Sequence, residues 1–293
     1  MDRGHPRGLC HDERSRVRAR LCRGQSRVTA SEPLTTLRLT VEYDGTNFSG
    51  FQWQPEARTV AGTLETALST LFAETIKVTG AGRTDAGVHA SGQVVSCVTA
   101  RDFPFDRLTL ALRSVLPSDA SVREAAVVSD GFSARFDARE RTYVYVILNR
   151  PRPSALLVRY AHFLAAPLDL DAMRAAAADL VGERDFRSFA TVPAQERTVR
   201  DLRRVEFSRA GDLVRIEVAA DGFLHHMVRT IVGTLIECGW GRRAPQELGR
   251  ILAARDRAAA GPTAPPQGLY LAGVRYADGY DSFAEPPVLG ALA

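Results

Sequence analysis

The sequence predicts an α+β fold built from two successive β-α-β-β-α-β units, on three observations. Stretches alternating apolar and polar residues recur along the chain, separated by segments with apolar residues at helical spacing, and the order repeats in the second half. Between the two central strands of the first unit lies a segment with three glycines. The chain has 293 residues, of which 45% are hydrophobic, enough to bury sizeable cores.

From Leu37 the residues Leu37, Leu39, Val41 and Tyr43 alternate with Arg38, Thr40 and Glu42, the period of a half-buried strand. Val60, Leu64, Ala67, Leu68 and Leu71 then recur at helical spacing behind Thr59, a side chain suited to capping a helix start. Strands are predicted near 75–79 and 93–98, with Gly80 to His89 between them, then a helix over Asp106 to Leu116 stopped by Pro117, and a strand near 121–128. The second half repeats this with a strand over Thr142 to Leu148, a helix over Asp171 to Leu180, and strands near 202–208 and 213–219 joined through Ala210, Gly211 and Asp212. A helix over Phe223 to Cys238 places Leu224, Val228, Ile231 and Leu235 on one face and stops at Gly239. A further helix near 245–255, a Pro-rich loop and a strand near 269–276 complete the unit. The order is that of tandem ferredoxin-like halves around a central cleft: a first domain at 34–138, a second at 139–282 and a loose tail at 283–293.

Residues 1–33 hold eight Arg against four acidic residues and no hydrophobic periodicity, the signature of a disordered arm. They account for the whole net charge of +4, since the remainder has 30 basic and 30 acidic residues. A surface for nucleic acid must therefore come from uneven charge within the body, not from bulk basicity. Lys77 is the single lysine beside 37 arginines, and arginine suits bidentate phosphate contacts. No apolar run reaches the length of a membrane span and no signal-peptide pattern opens the chain, so the reading is a soluble cytoplasmic protein. Cys10, Cys22, Cys97 and Cys238 form no CxxC pattern, and neither disulfide nor zinc is expected.

The segment Gly80-Ala-Gly-Arg-Thr-Asp-Ala-Gly-Val-His89 carries the chemistry. Its glycines permit unusual backbone angles and close approach of a ligand, but their spacing is not GxGxxG and a strand, not a helix, follows. Arg83 and Asp85 project from it. An Asp beside an arginine is held ionised and oriented, as a nucleophile or base must be, although an Asp in a glycine-rich loop is more commonly a turn-former.

Together with this segment, Tyr43-Asp-Gly-Thr-Asn-Phe48, Phe132-Ser-Ala-Arg-Phe136, Phe223-Leu-His-His-Met-Val-Arg229 and Gly268-Leu-Tyr-Leu271 resemble the successive motifs of the tRNA pseudouridine synthase A family, in family order, over about residues 34 to 282. The resemblance implies two ferredoxin-like halves flanking a basic cleft. It implies that Asp85 is the catalytic aspartate, whose carboxylate attacks the target nucleotide, at sugar or base, while the glycosidic bond breaks and uracil rejoins the sugar through carbon. Tyr143 matches the active-site tyrosine that stacks on the flipped uracil, and Arg229 the arginine that pairs with the aspartate. Arg83 is read as a phosphate contact or loop support and Leu269 as an apolar wall. The targets implied are uridines at tRNA positions 38, 39 and 40, bound by a homodimer, with neither cofactor nor metal. His225 and His226, adjacent on the expected helix, would point different ways and form no helical metal pair. His89 is read as ordering its loop. Arginines 197 to 204 face either RNA or solvent.

Three positions depart from the family pattern. Phe51 and Trp53 stand where Gly-Trp-Gln-Arg-Gln is common, removing an RNA-facing arginine, and Thr230 stands where many relatives have Asn. The main alternative is a non-catalytic RNA-binding module, since ferredoxin-like sheets also stack bases, but the RNP1 aromatic pattern is absent. The same chemistry on another RNA is a second alternative.

Overall fold

A computed structural model describes Met1 and residues 34–277 and 279–290, so the expected Arg-rich arm, with Cys10 and Cys22, lies outside the described residues. The fold is α+β, dominated by one sheet. Its first strands are β1 (Thr35–Tyr43), β2 (Thr79–Gly80), β3 (His89–Thr99), β4 (Ala120–Val128) and β5 (Ala138–Asn149), with helices α1 (Val60–Phe72) and α2 (Leu108–Arg113) between them. There follow β6 (His162–Leu164), α3 (Leu170–Ala177), β7 (Gly182–Asp185), β8 (Val199–Ala210), β9 (Leu213–Ala220), α4 (Met227–Gly239) and α5 (Glu247–Ala254). The chain closes with β10 (Leu269–Tyr276), β11 (Ser282–Phe283) and a helical turn α6 (Pro287–Gly290).

The strands line up as β4-β1-β3-β10-β5-β9-β8-β7, with β2 on β3, β6 on β5 and β11 on β10. Along this path every neighbouring pair is antiparallel except β3 and β10, which run parallel with Tyr270 opposite His89 and Leu271 opposite Ala90. That pairing joins the last long strand to β3, so the sheet runs without a break from β4 to β7. Strands β5 and β10 are buried along nearly their whole length, as expected where both faces are covered. Tyr143, Tyr145 and Ile147 face the main core with Leu269 and Leu271, whereas Val144, Val146, Leu148 and Tyr270 belong to a second cluster on the opposite face.

Several boundaries differ from the sequence reading for identifiable reasons. The strand expected at 75–79 shrinks to Thr79–Gly80, because the backbone N–H groups of Ile76 and Val78 donate to Ser69 Oγ and Glu65 Oε1 of α1 instead of to a strand. The helix expected over 106–116 is a 3-10 turn at Phe105–Arg107 followed by α2, and 114–116 continue as hydrogen-bonded turns. The helix expected from Phe223 starts at Met227, because His226 sits in the left-handed region at φ 63°. The polar side of β1 is covered, with Arg38 5% exposed and donating to Tyr280 O at 2.7 Å. The cover is the chain after β10. In the segment expected as a loose tail, β11 pairs with β10 and Val288 and Leu289 pack on the second cluster; 291–293 lie outside the described residues. Thr59 does cap α1, accepting from Gly62 N at 3.2 Å. Cys97 and Cys238 are buried free thiols, and among the described residues no helix is long and apolar enough to cross a membrane.

Candidate active site

The loop between β2 and β3 is held from below by its neighbours. Gln93, fully buried on β3, donates its amide to Gly82 O at 2.7 Å and accepts from Gly82 N at 3.4 Å. Tyr43, at the end of β1, meets Thr84 Oγ1 at 2.8 Å. Phe51 N donates to Thr84 O at 3.0 Å, and this contact requires Gly50 at φ +92°, where a Cβ would stand 2.9 Å from Thr84 O. Gly45 is still tighter, since a Cβ there would fall 2.0 Å from Val88 O. His89 is 2% exposed, accepts from Gly45 N at 3.0 Å and hydrogen-bonds Arg159 O at 2.8 Å. Asp44 lies 3.2 Å from the same Nδ1, but burial holds the imidazole pKa below its ordinary value, and the Gly45 N–H donates to Nδ1, which fits a neutral ring with its proton on Nε2. The Tyr43–Phe48 motif thus supports the Asp85 loop, and His89 orders it.

Asp85 stands on top of this scaffold with its side chain 23% exposed. Arg229, in the first turn of α4 and 14% exposed, donates from Nη1 to Asp85 Oδ2 at 2.8 Å and from Nε to Ala264 O at 2.7 Å. One carboxylate oxygen is thereby anchored, and Oδ1 has no hydrogen-bond partner among the described residues. His225 Nε2 lies 3.6 Å from Oδ1 and His226 Nε2 lies 3.6 Å from Oδ2. The two imidazoles lie against each other with centroids 3.7 Å apart and planes tilted by 30°. The expectation that they diverge on a helix therefore fails: they precede α4, and the left-handed angle of His226 turns both rings to Asp85. Asp85, His225 and His226 are the group of metal-ligand type found among the described residues, their ligand atoms within 4.8 Å of one another. A divalent cation there would bind a carboxylate already paired with the Arg229 guanidinium at 2.8 Å, whose like charge opposes it.

The cleft above Asp85 encloses about 800 Å³, within the range of small-ligand sites. Of the residues expected at a site, Asp85, Arg83, Tyr143, Arg229 and Leu269 all line it. Arg83 is exposed and has no side-chain partner among the described residues. Leu269 is 5% exposed, so it is both a buried strand residue and part of the wall. Tyr143, 6% exposed, packs edge-on against Phe223 at 5.1 Å, and burial pushes its phenol well above the ordinary range, which keeps it a neutral O–H. Thr230 is fully buried, with its hydroxyl 3.3 Å from Thr263 Oγ1.

Five arginines (83, 135, 141, 200 and 229) line the cleft against two carboxylates, Asp85 and Glu196. A formally neutral body thus presents a basic groove. The run from 197 to 204 divides: Arg203 and Arg204 each reach the buried Glu140 at 3.0 Å and Arg204 reaches Glu217 at 2.7 Å, while Arg200 faces the cleft. Two residues of the site were not singled out from sequence. Gln93 clamps the loop, and Arg141 donates to the carbonyls of Ala81, Arg135, Ala138 and Asp221, tying the base of the Asp85 loop to β5 and the end of β9. The period of two along β5 was the available signal, since it sets Arg141 on the same face as Tyr143.

A carboxylate fixed by a guanidinium, beneath an aromatic wall and inside an arginine-lined groove, defines an enzyme acting on a polyanionic chain. The chain belongs to the tRNA pseudouridine synthase family, whose model matches residues 39–137 and 176–277. It is 47% identical over 243 residues to a protein of Moorella thermoacetica, covering 82% of this chain and 99% of that one. It is 46% identical over 241 residues to a protein of Brevibacillus brevis, covering 82% and 99%. To a protein of Caldicellulosiruptor bescii it is 40% identical over 244 residues, covering 83% and 100%. Each of these is named tRNA pseudouridine synthase A.

Proposed function

We propose that this protein isomerises uridine to pseudouridine in tRNA, at positions 38, 39 and 40 of the anticodon stem-loop, with Asp85 as the catalytic carboxylate. The observation that carries the reading is the Asp85–Arg229 pair at 2.8 Å in a basic cleft beside Tyr143, in a chain of this family. A uridine stacked in a stem-loop must leave its neighbours to reach Asp85, at a cost of a few kcal/mol. Stacking on Tyr143, against an apolar wall that includes Leu269, offsets that cost. Arg229 holds Oδ2, so Oδ1 is the oxygen offered to the nucleotide. Tyr143, protonated at neutral pH, presents an O–H to the same space. Arg83, without a protein partner among the described residues, is assigned to a phosphate. The chemistry asks for neither cofactor nor metal.

The strand order supports two ferredoxin-like halves, 34–138 and 139–282. In the first, β4-β1-β3-β2 follow one another across the sheet, and β10-β5-β9-β8 repeat that order in the second. The cleft lies where the halves meet. A homodimer gripping one tRNA and a cytoplasmic location complete the reading.

The test is pseudouridine formation in an unmodified tRNA carrying uridine at positions 38 to 40, for the wild type and Asp85→Asn, with no added metal or cofactor. Formation by the wild type, and its disappearance in Asp85→Asn with tRNA binding retained, is the expected result. A wild type that binds tRNA and leaves every uridine intact would return the protein to the class of RNA-binding modules.

A further inference from the structure

Phe136 is 79% exposed, yet it sits on a fixed piece of chain at the rim of the cleft. Ala134 is fully buried, its N–H donating to Ser96 Oγ at 3.1 Å and its carbonyl accepting from Tyr276 Oη at 2.8 Å. The Arg135 carbonyl accepts from Arg141 Nη2 at 2.5 Å. Asp137 closes the turn, its N–H donating to Ser133 O at 3.1 Å and its carboxylate accepting from Ser133 N at 2.8 Å. Phe132, at the other end of the motif, is buried against Tyr276 with ring centroids 5.2 Å apart. The ring of Phe136 is therefore held out by a rigid turn, not left out by a mobile one. Arg135 lies with its guanidinium carbon 5.5 Å from that ring, and Arg83, Arg141 and Arg200 line the same cleft.

A rigid exposed aromatic beside an arginine, continuous with a basic groove, is the chemistry that recognises an unpaired nucleobase and its phosphate. The geometry points to a second base-binding subsite at the cleft mouth, in which an unpaired base of the bound RNA, other than the one at Asp85, stacks on Phe136 while Arg135 meets its phosphate. This rests on the reading of the protein as a tRNA-modifying enzyme. The charge of the groove favours RNA as the occupant over a second copy of the chain, whose apolar patch would have to desolvate Arg135 as well.

The experiment measures the Kd of an anticodon stem-loop RNA and its conversion to pseudouridine for the wild type, Phe136→Leu, Phe136→Trp and Arg135→Ala. Phe136→Leu keeps an apolar side chain without a π face, and its Kd is expected to rise about tenfold, the scale of one lost stacking contact. Phe136→Trp retains the affinity, and its emission, taken against the wild-type background of Trp53 and Trp240, is quenched on adding RNA. Arg135→Ala weakens binding with a shallower salt dependence. Wild-type affinity in Phe136→Leu overturns the subsite. So does a dimer that Phe136→Leu converts to monomer in sedimentation with RNA affinity kept, which would give the ring to a subunit contact. A wild type that binds RNA through Phe136 but makes no pseudouridine would remove the enzymatic reading and leave the subsite standing, and a wild type that binds no RNA would remove both.

Discussion

Replacing Arg229 by alanine removes the one strong partner of the Asp85 carboxylate. The two side chains are only 14% and 23% exposed and 2.8 Å apart, so the pair belongs with charge-assisted, partly desolvated bonds and not with surface ion pairs of under about 1 kcal/mol. A hydrogen bond to a charged group in such a place is worth about 1.5–3 kcal/mol. If Arg229 acts by fixing the Asp85 carboxylate, that amount appears in the barrier, and each 1.4 kcal/mol is tenfold in rate, so single-turnover pseudouridine formation at saturating tRNA should fall by about 10- to 150-fold. Arg229→Lys can reach Oδ2 with one donor but abandons Ala264 O, which now accepts from Nε at 2.7 Å, and should fall in between. The assay is release of tritium from C5-labelled uridine in a single turnover, with a melting curve to establish that the variant is folded. A folded Arg229→Ala with a rate within threefold of wild type would refute the positioning role. So would a loss confined to tRNA affinity, which would make Arg229 a phosphate contact.

Gln93→Leu conserves volume but leaves Gly82 O, now bonded at 2.7 Å, without its donor; chemical denaturation should show a loss of about 1–3 kcal/mol, and turnover at saturating tRNA should fall more than tRNA affinity does. Arg203→Ala with Arg204→Ala should strip Glu140, which is 2% exposed, of its two hydrogen-bonded partners, leaving it Arg275 at 3.9 Å, and destabilise the fold by about 3–5 kcal/mol in urea titration, with a smaller effect on tRNA binding than Arg200→Ala, which faces the cleft. Burial holds the pKa values of His89 and His162 below their ordinary value, so each contributes stability that is fully present above the unfolded-state value of about 6.5 and is lost as pH falls through the lower folded-state value. Melting temperature should therefore begin to drop below about pH 6.5, ahead of the carboxylates, and His162→Phe, which removes a buried Nδ1 unpartnered among the described residues, should flatten that early slope without lowering stability at pH 8.

The long periodic elements were readable because their signals are local. Alternation gave β1, short runs of strand-forming residues gave β3, β5, β8 and β9, and the capping hydroxyl of Thr59 gave the start of α1. What was not readable depends on partners far along the chain. The loss of the strand at 76–78 follows from Glu65 and Ser69 taking its backbone donors, a competition between side chain and sheet that a pattern of apolar residues does not record. The burial of Arg38 needs the chain around Tyr280, 242 residues away. In the site, Asp85, Tyr143, Arg229, Arg83 and Leu269 carry motif signals and do converge on one cleft. Gln93 and Arg141 act on backbone carbonyls, which no sequence motif records; spacing goes only as far as setting Arg141 on the face of Tyr143. The histidine pair was misplaced for one reason: a left-handed His226 is a rare conformation for a residue with a side chain, and helical spacing ran straight through it.

That left-handed residue also explains how the two halves of the chain make one site. The parallel pairing of β3 with β10 brings the Asp85 loop, which precedes β3, alongside the Pro-rich segment that precedes β10. Arg229 is pinned to that segment through Ala264, with its Nε donating to Ala264 O and its carbonyl accepting from Ala264 N at 3.0 Å. Helix α4 can approach so closely only because position 233 is glycine, where a Cβ would fall 1.8 Å from Pro262 O. The bend at His226 then starts the helix late enough for residues 223–226 to fold over the cleft as a wall instead of continuing the helix away from it. A carboxylate from the first half and a guanidinium from the second are thus set 2.8 Å apart by backbone contacts on both sides. Neither the Asp85 loop nor the start of α4 holds the pair alone; it forms only where the β3–β10 pairing and the contacts of Ala264 bring the two together.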